Sequence, residues 1–291
     1  MSTKEGNVGH VCMTACSLGE KGGPGKTTTT VEAIFQTKTL HEKIHKKKPK
    51  ILAIDLDGQG TLTQTLTGVK AHPTNACDLL ADKKGFVKLE DVITKASGEP
   101  WGGVSVLPCT RDINLIGEHW AVHNFSREEK ACQLRKKLEK AYVFFDYIFI
   151  DTPPKYDSVT LSALVASDVV IVNLRANSDG LRGLDAMTGW IDVAKTFNKS
   201  LVVGPHIVCK YQDNITEAQK QKYKEIKEPS FYIKEFKKRL PNVKFHLIKD
   251  VGESLHDHAR QNLVPFSFLS PQIQYSVTYR NAFRTLIKER V

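Results

Sequence analysis

The chain has 291 residues, 41% of them hydrophobic and 25% charged, with a formal net charge of +10. Such proportions support a globular core and exclude wholesale disorder, and no apolar run approaches the roughly 18 residues a spanning helix needs. The basic excess favours polyanionic partners, nucleic acid or anionic membrane, without choosing between them.

In chain order, His10–Cys16 reads as a first strand running into the glycine-rich stretch "SLGEKGGPGKTTTT", Ser17–Thr30. That stretch comes too early for the apolar core of a secretion signal to precede it. From Thr27 onward, Val31, Ile34, Phe35, Leu40 and Ile44 recur at helical spacing, and Pro49 stops the element. Lys50–Asp57, "KILAIDLD", is a nearly continuous apolar run ending in two acids, as a buried parallel strand looks where its C-terminal edge enters a site. Gly102–Cys109 reads as a strand and Arg127–Tyr142 as a polar-faced helix. Phe145–Pro154, Asp168–Leu174 and Ser200–Cys209 are further strands, and the tail alternates basic helices with "VKFHLI". Strands separated by helical stretches predict an α/β fold, a mostly parallel central sheet with helices on both faces. No repeat or Gly/Ser linker divides residues 1–291, so one domain is expected. Six scattered cysteines, Cys12, Cys16, Cys77, Cys109, Cys132 and Cys209, form no CxxC pair, which fits a reducing compartment and small buried hydrophobes.

The chemistry gathers at strand ends. Gly22, Gly23 and Gly25 allow a turn whose N–H groups point inward at a phosphate. Lys26 and Thr27 then open a helix, where the N-terminus binds phosphate, the lysine reaches it and the threonine hydroxyl can ligate Mg²⁺. Asp55 and Asp57 end one strand and Asp151 another, and acids so placed hold a hydrated Mg²⁺ or orient water. The pattern G-x-x-x-x-G-K-[ST] would need glycine at position 20, where this chain has Glu20. Two lysines, Lys21 and Lys26, bracket the turn, and one alone would serve a phosphate chain.

Lys21–Thr28 resembles the deviant Walker A motif of the ParA/MinD family of P-loop ATPases. "ILAIDLDGQGTLTQTL" resembles that family's second motif, and "FDYIFIDTPPKYDSVTLSALVASDVVIV" its Walker B segment. "LRGLDAM" is similar to the family's segment after the next strand. The likeness is strong to about residue 190 and looser beyond. It implies a three-layer P-loop NTPase fold and a slow, partner-stimulated ATPase using ATP and Mg²⁺. By resemblance, Lys21 reaches the phosphates held by the partner subunit of an ATP-state homodimer, and Lys26 grips the phosphates of its own. Gly22, Gly23, Gly25, Lys26, Thr27 and Thr28 bind the nucleotide. Thr27, Asp55 and Asp151 lie at the metal, and Asp57 positions the attacking water. Pro24, Gly58 and Asn173 depart from the family's usual valine, proline and proline.

Within that family, one branch segregates plasmids or chromosomes by binding nonspecific double-stranded DNA together with a ParB-like centromere-binding adaptor. The DPQ-like "DGQG" of this chain resembles that branch. The alternative is a MinD-like switch that positions membrane or protein cargo. Candidate DNA contacts are Lys210, Lys220, Lys222, Lys234, Lys237, Lys238, Arg239, Arg280 and Arg284, all able to meet phosphates without reading sequence. In "YIKEFKKRL", Ile233, Phe236 and Leu240 mark an apolar face that leaves the lysines outward. Residues 38–50 hold six lysines against one glutamate, a further basic cluster. Stable membrane binding is not expected, and the short apolar pattern at residues 281–291 reads as a terminal helix packed on the sheet. A cytoplasmic, nucleoid-associated protein without an N-terminal helix-turn-helix module is the expectation.

Overall fold

The computed structural model describes residues 12–19, 25–212 and 227–288. Among them, eight strands build one sheet: β1 (Met13–Gly19), β2 (Ile51–Asp55), β3 (Thr94–Lys95), β4 (Val104–Leu107), β5 (Tyr147–Asp151), β6 (Val169–Leu174), β7 (Val202–Tyr211) and β8 (Phe245–Lys249). Their spatial order is β3-β4-β2-β5-β1-β6-β7-β8. The β3–β4 pair is antiparallel and the other pairings are parallel. This is the mostly parallel sheet of a P-loop NTPase. The short edge strand β3 had no signature in the sequence, because two half-exposed residues are too few to show alternation.

The continuous apolar runs are explained by burial on both faces. Alternate residues of each strand serve different cores. Cys16, Leu18, Leu52, Ile54, Ile148 and Ile150 pack with Leu134, Leu164 and Leu184 from the helices Arg127–Lys137, Ser158–Val165 and Ser178–Phe197. Met13, Ala15, Ile51, Ala53 and Phe149 face the other way, against Ile34 of the first helix (Lys26–His45) and against Tyr279 and Phe283 of the last (Gln274–Lys288). Complete burial of each large side chain here contributes about 1.5–3 kcal/mol.

Local chemistry sets the helix ends. Ser126 and Glu129 form a reciprocal capping box, and the Asp157 carboxylate accepts from the backbone of Val159 and Thr160. The helix expected over Arg127–Tyr142 ends at Lys137, and a separate turn, Ala141–Phe144, follows before β5. His10 and Val11 of the expected first strand lie outside the described residues, and β1 runs on past Cys16 to Gly19, because Leu18 and Gly19 pair with Val172 and Asn173 of β6. No described helix is long and apolar enough to cross a membrane.

Candidate active site

Parallel pairing places Ser17, Asp151 and Asp55 side by side, since Asp151 is the register partner of Ser17 in β1 and of Asp55 in β2. Three polar residues thus line up across the C-terminal edge of three adjacent strands. The chain leaves β1, and its first helix begins at Lys26 after Gly25, whose φ of 81° lies in the left-handed region. Glycine is required there twice over: a Cβ would also come within 2.9 Å of the Cys209 sulfur.

The first turn of that helix locks onto Asp151. Thr27 Oγ1 donates to Asp151 Oδ2 at 2.6 Å, and Thr30 Oγ1 lies 3.3 Å from Oδ1. Lys26 is buried. Loss of hydration lowers its pKa, and the nearby carboxylates of Asp151 and Asp57 act in the opposite direction. Asp55, fully buried, holds the next loop: Oδ1 accepts from Asp57 N at 3.0 Å, and Oδ2 accepts from the backbone and hydroxyl of Thr63, each at 2.8 Å. Asp57 is half-buried at the mouth, where Oδ1 accepts from Gln59 N at 3.0 Å. Burial, and for Asp55 the neighbouring charge of Asp151, push both strand-end carboxyls well above the ordinary carboxylate range. Thr28 is exposed in the first turn of the helix.

Two departures from the family pattern acquire reasons. Asn173 Nδ2 donates to Ser17 Oγ at 2.8 Å and to Leu18 O at 3.1 Å, tying the end of β6 to β1 just before the glycine-rich loop. Gly58 lets the Asn114 amide sit against the loop: a Cβ at position 58 would come within 2.7 Å of Asn114 Nδ2. Lys21, Gly22, Gly23 and Pro24 lie outside the described residues, as do Lys220 and Lys222.

Sequence reasoning missed Thr63, Thr30, Asn114 and the contact from β7. Threonines in the repeats "TTTT" and "TLTQTL" are too alike to rank without knowing which hydroxyl faces a carboxylate. Thr29 Oγ1 shares a 3.2 Å hydrogen bond with Tyr279 OH, so the last helix also braces the first.

The basic candidates separate by place. Ile233 and Phe236 of the helix Pro229–Arg239 are buried, and Lys234, Lys237 and Lys238 point outward as their spacing required. Arg239 is engaged by Asp185 at 3.3 Å and Glu235 at 3.2 Å. Lys210 is exposed at the end of β7 with φ of 50°, next to the Cys209 that touches the Gly25 turn. Arg280 donates to Pro271 O at 2.7 Å, and Arg284 is exposed on the same helix.

Fold and site together define a P-loop NTPase. A family model described as an AAA domain, AAA_31, matches residues 14–203. Soj of Bacillus subtilis strain 168, a sporulation initiation inhibitor protein, is 32% identical over 188 residues, covering 63% of this chain and 67% of Soj. A Cyanothece McdA–ATP complex superposes with a TM-score of 0.73 at 21% identity, covering 97% of each chain. The septum site-determining protein MinD of Pyrococcus horikoshii OT3, complexed with Mg-ADP, gives 0.64 at 20% identity, covering 96% of this chain and 97% of MinD. The chain belongs to the AAA_31 family and is a relative of Soj. It spans 64% of the length of the first curated relatives it matches.

Proposed function

We propose that residues 1–291 form one Mg²⁺-dependent ATPase domain that closes as an ATP-sandwich dimer, binds DNA without sequence preference and drives plasmid or chromosome partition with a DNA-bound adaptor. The observation that carries this reading is the 2.6 Å bond from Thr27 to Asp151, directly after a left-handed glycine and beside Asp55. It joins a phosphate-binding helix start to a carboxylate edge.

The donor set fits magnesium. Two strand-end carboxyl groups side by side, with a threonine hydroxyl bonded to one of them, form a cluster of hard oxygen donors, the type Mg²⁺ takes. Thr27, Asp55 and Asp151 would hold the ion, which neutralises phosphate charge when bound. Lys26 would meet the phosphates within its own protomer, with Gly22, Gly23, Gly25 and Thr28 completing the loop, and Lys21 would reach those of the partner. Asp57, fixed through Asp55 and Gln59, would orient the attacking water. Hydrolysis then depends mainly on positioning and charge stabilisation. The ATP and nucleoside-diphosphate complexes of McdA and MinD support nucleotide binding in a chain of this fold.

For DNA, the outward lysines of Pro229–Arg239 are the best-placed described contacts, with Lys210, Lys220, Lys222, Arg280 and Arg284 as further members. Arg239 would first have to leave its acidic partners. Sedimentation with and without ATP, on wild type and Lys21→Ala, tests the dimer: the wild type should pair and the variant should stay monomeric while still binding nucleotide. DNA cosedimentation should require ATP and weaken steeply with salt. An ATP-loaded wild type that remains a monomer would falsify the reading.

A further inference from the structure

The lysine cluster found in the sequence has no part in the site just described. The first helix starts at the C-terminal edge of the sheet and runs 20 residues, about 30 Å at 1.5 Å per residue, so its basic end lies at the opposite pole. There Lys43, Lys46, Lys47, Lys48 and Lys50 are all exposed. The neighbouring acids are already occupied: Glu42 pairs with Lys38 at 2.9 Å, and Asp146 accepts from Lys50 N at 2.7 Å.

This pole also exposes apolar side chains. Ile44 is 43% exposed, Val143 61% and Phe144 54%. The two segments form one surface. His41 in the last turns of the helix bonds the Tyr147 hydroxyl at 3.0 Å, Lys50 O accepts from Asp146 N at 2.8 Å, and the Lys50 ammonium sits 4.2 Å from the Phe144 ring centre. Three exposed apolar side chains rimmed by exposed lysines, one of which lies over Phe144, match an interface that is anionic outside and hydrocarbon within. Nucleic acid uses such a surface less well. A duplex would meet the lysines through its phosphates and give the exposed Ile44, Val143 and Phe144 no apolar partner.

We infer that this pole docks peripherally on an anionic lipid bilayer, through the lysines of 43–50 and the side chains of Ile44, Val143 and Phe144. The contact is independent of the nucleotide site, so it needs neither ATP nor a dimer.

The test is flotation of the nucleotide-free protein with phosphatidylcholine vesicles, with and without about 30% phosphatidylserine. Binding should appear only with the anionic lipid and fall as salt rises from about 0.1 M to about 0.5 M. Lys47→Glu/Lys48→Glu should weaken it more than tenfold, each lysine near such a surface being worth about fivefold. Val143→Ser, which keeps every charge, should weaken it about threefold. Unchanged melting temperature and nucleotide affinity in both variants would show that the fold persists. Absence of anionic-vesicle binding overturns the inference, as does binding unaffected by the double charge reversal. Capture of duplex DNA by this pole in place of vesicles, lost in Lys47→Glu/Lys48→Glu without ATP, also overturns it. Because these arms omit nucleotide, their failure leaves the ATP-dependent dimer and DNA assays untouched.

Discussion

The β2–β5–β1 side of the sheet and the β7–β8 side use the same parallel ladder and reach opposite results. On the first side the strands pair without a register shift, and their ends deliver Ser17, Asp151 and Asp55 as a row of buried polar groups. On the second side register shifts interrupt both the β6–β7 and β7–β8 ladders, and β7 opens with Val202 and Val203 exposed. A cavity of about 590 Å³ lies there, with Met187, Ile191, His206, Leu240, Val243 and His246 among its walls. One side is fixed by hydrogen bonds at Ser17, Asp55 and Asp151. The other side encloses this cavity, and the family match stops at residue 203, just inside β7.

The sharpest way to break this comparison is at Lys26. Lys26→Ala should reduce ATP hydrolysis by about 10²–10³-fold, measured as phosphate release, with the far-ultraviolet spectrum unchanged. A variant retaining wild-type turnover would remove the rigid side from the chemistry. Next in size, Thr63→Val deletes one hydroxyl that donates to Asp55 and accepts from Cys109 N at 3.0 Å. It should cost about 1–3 kcal/mol in chemical denaturation, because buried polar groups lose their partners. Val203→Ser, on the permissive side, should stay within about 0.5 kcal/mol in the same experiment.

Between these effects lies an opposition in pH dependence. Asp55 has a folded pKa raised from 3.8 to about 7, so over that window the folded state binds more protons than the unfolded one, and its contribution to stability falls as pH rises. His206, which touches Gly204 O and the Phe245 ring and has His246 nearby, is pushed down by burial from 6.5 to about 4. The unfolded state binds more protons there, and stability is lost as pH falls from about 6.5 to about 4. In melts of the nucleotide-free protein, Asp55→Asn should therefore gain relative to wild type as pH rises from 5 towards 7. His206→Gln should gain relative to wild type as pH falls from 6.5. Parallel pH profiles for the two variants would dissolve the distinction.

Legibility in the sequence follows the same division. "KILAIDLD" and "FDYIFIDTPP" announce buried strands ending in acids, and each does so at β2 and β5. The Gly25–Lys26–Thr27 turn was equally plain, because few other uses require a glycine followed by a lysine at a helix start. Hydrogen-bond partners chosen across long sequence separations were hidden: Thr63 for Asp55, Asn114 over Gly58 and Tyr279 against Thr29. The first helix misleads in a different way. Its buried surface includes Thr29, Thr30, Glu32, Gln36 and Thr37 beside Val31 and Ile34, so apolar periodicity captures only part of what it packs. Glu32 accepts from Ser267 N at 3.1 Å, a pairing that no local pattern reveals.

The sulfur of Cys209 pressed on Gly25, and the hydroxyl of Tyr279 bonded to Thr29, carry a consequence for biosynthesis. Every side chain that would touch phosphate leaves the ribosome early, but the buttresses behind the turn are made much later. A nascent chain halted at residue 203 would hold the whole recognisable motif set and still lack the wall that shapes it. Competence to grip nucleotide should therefore arrive late in translation, when the helix Gln274–Lys288 docks.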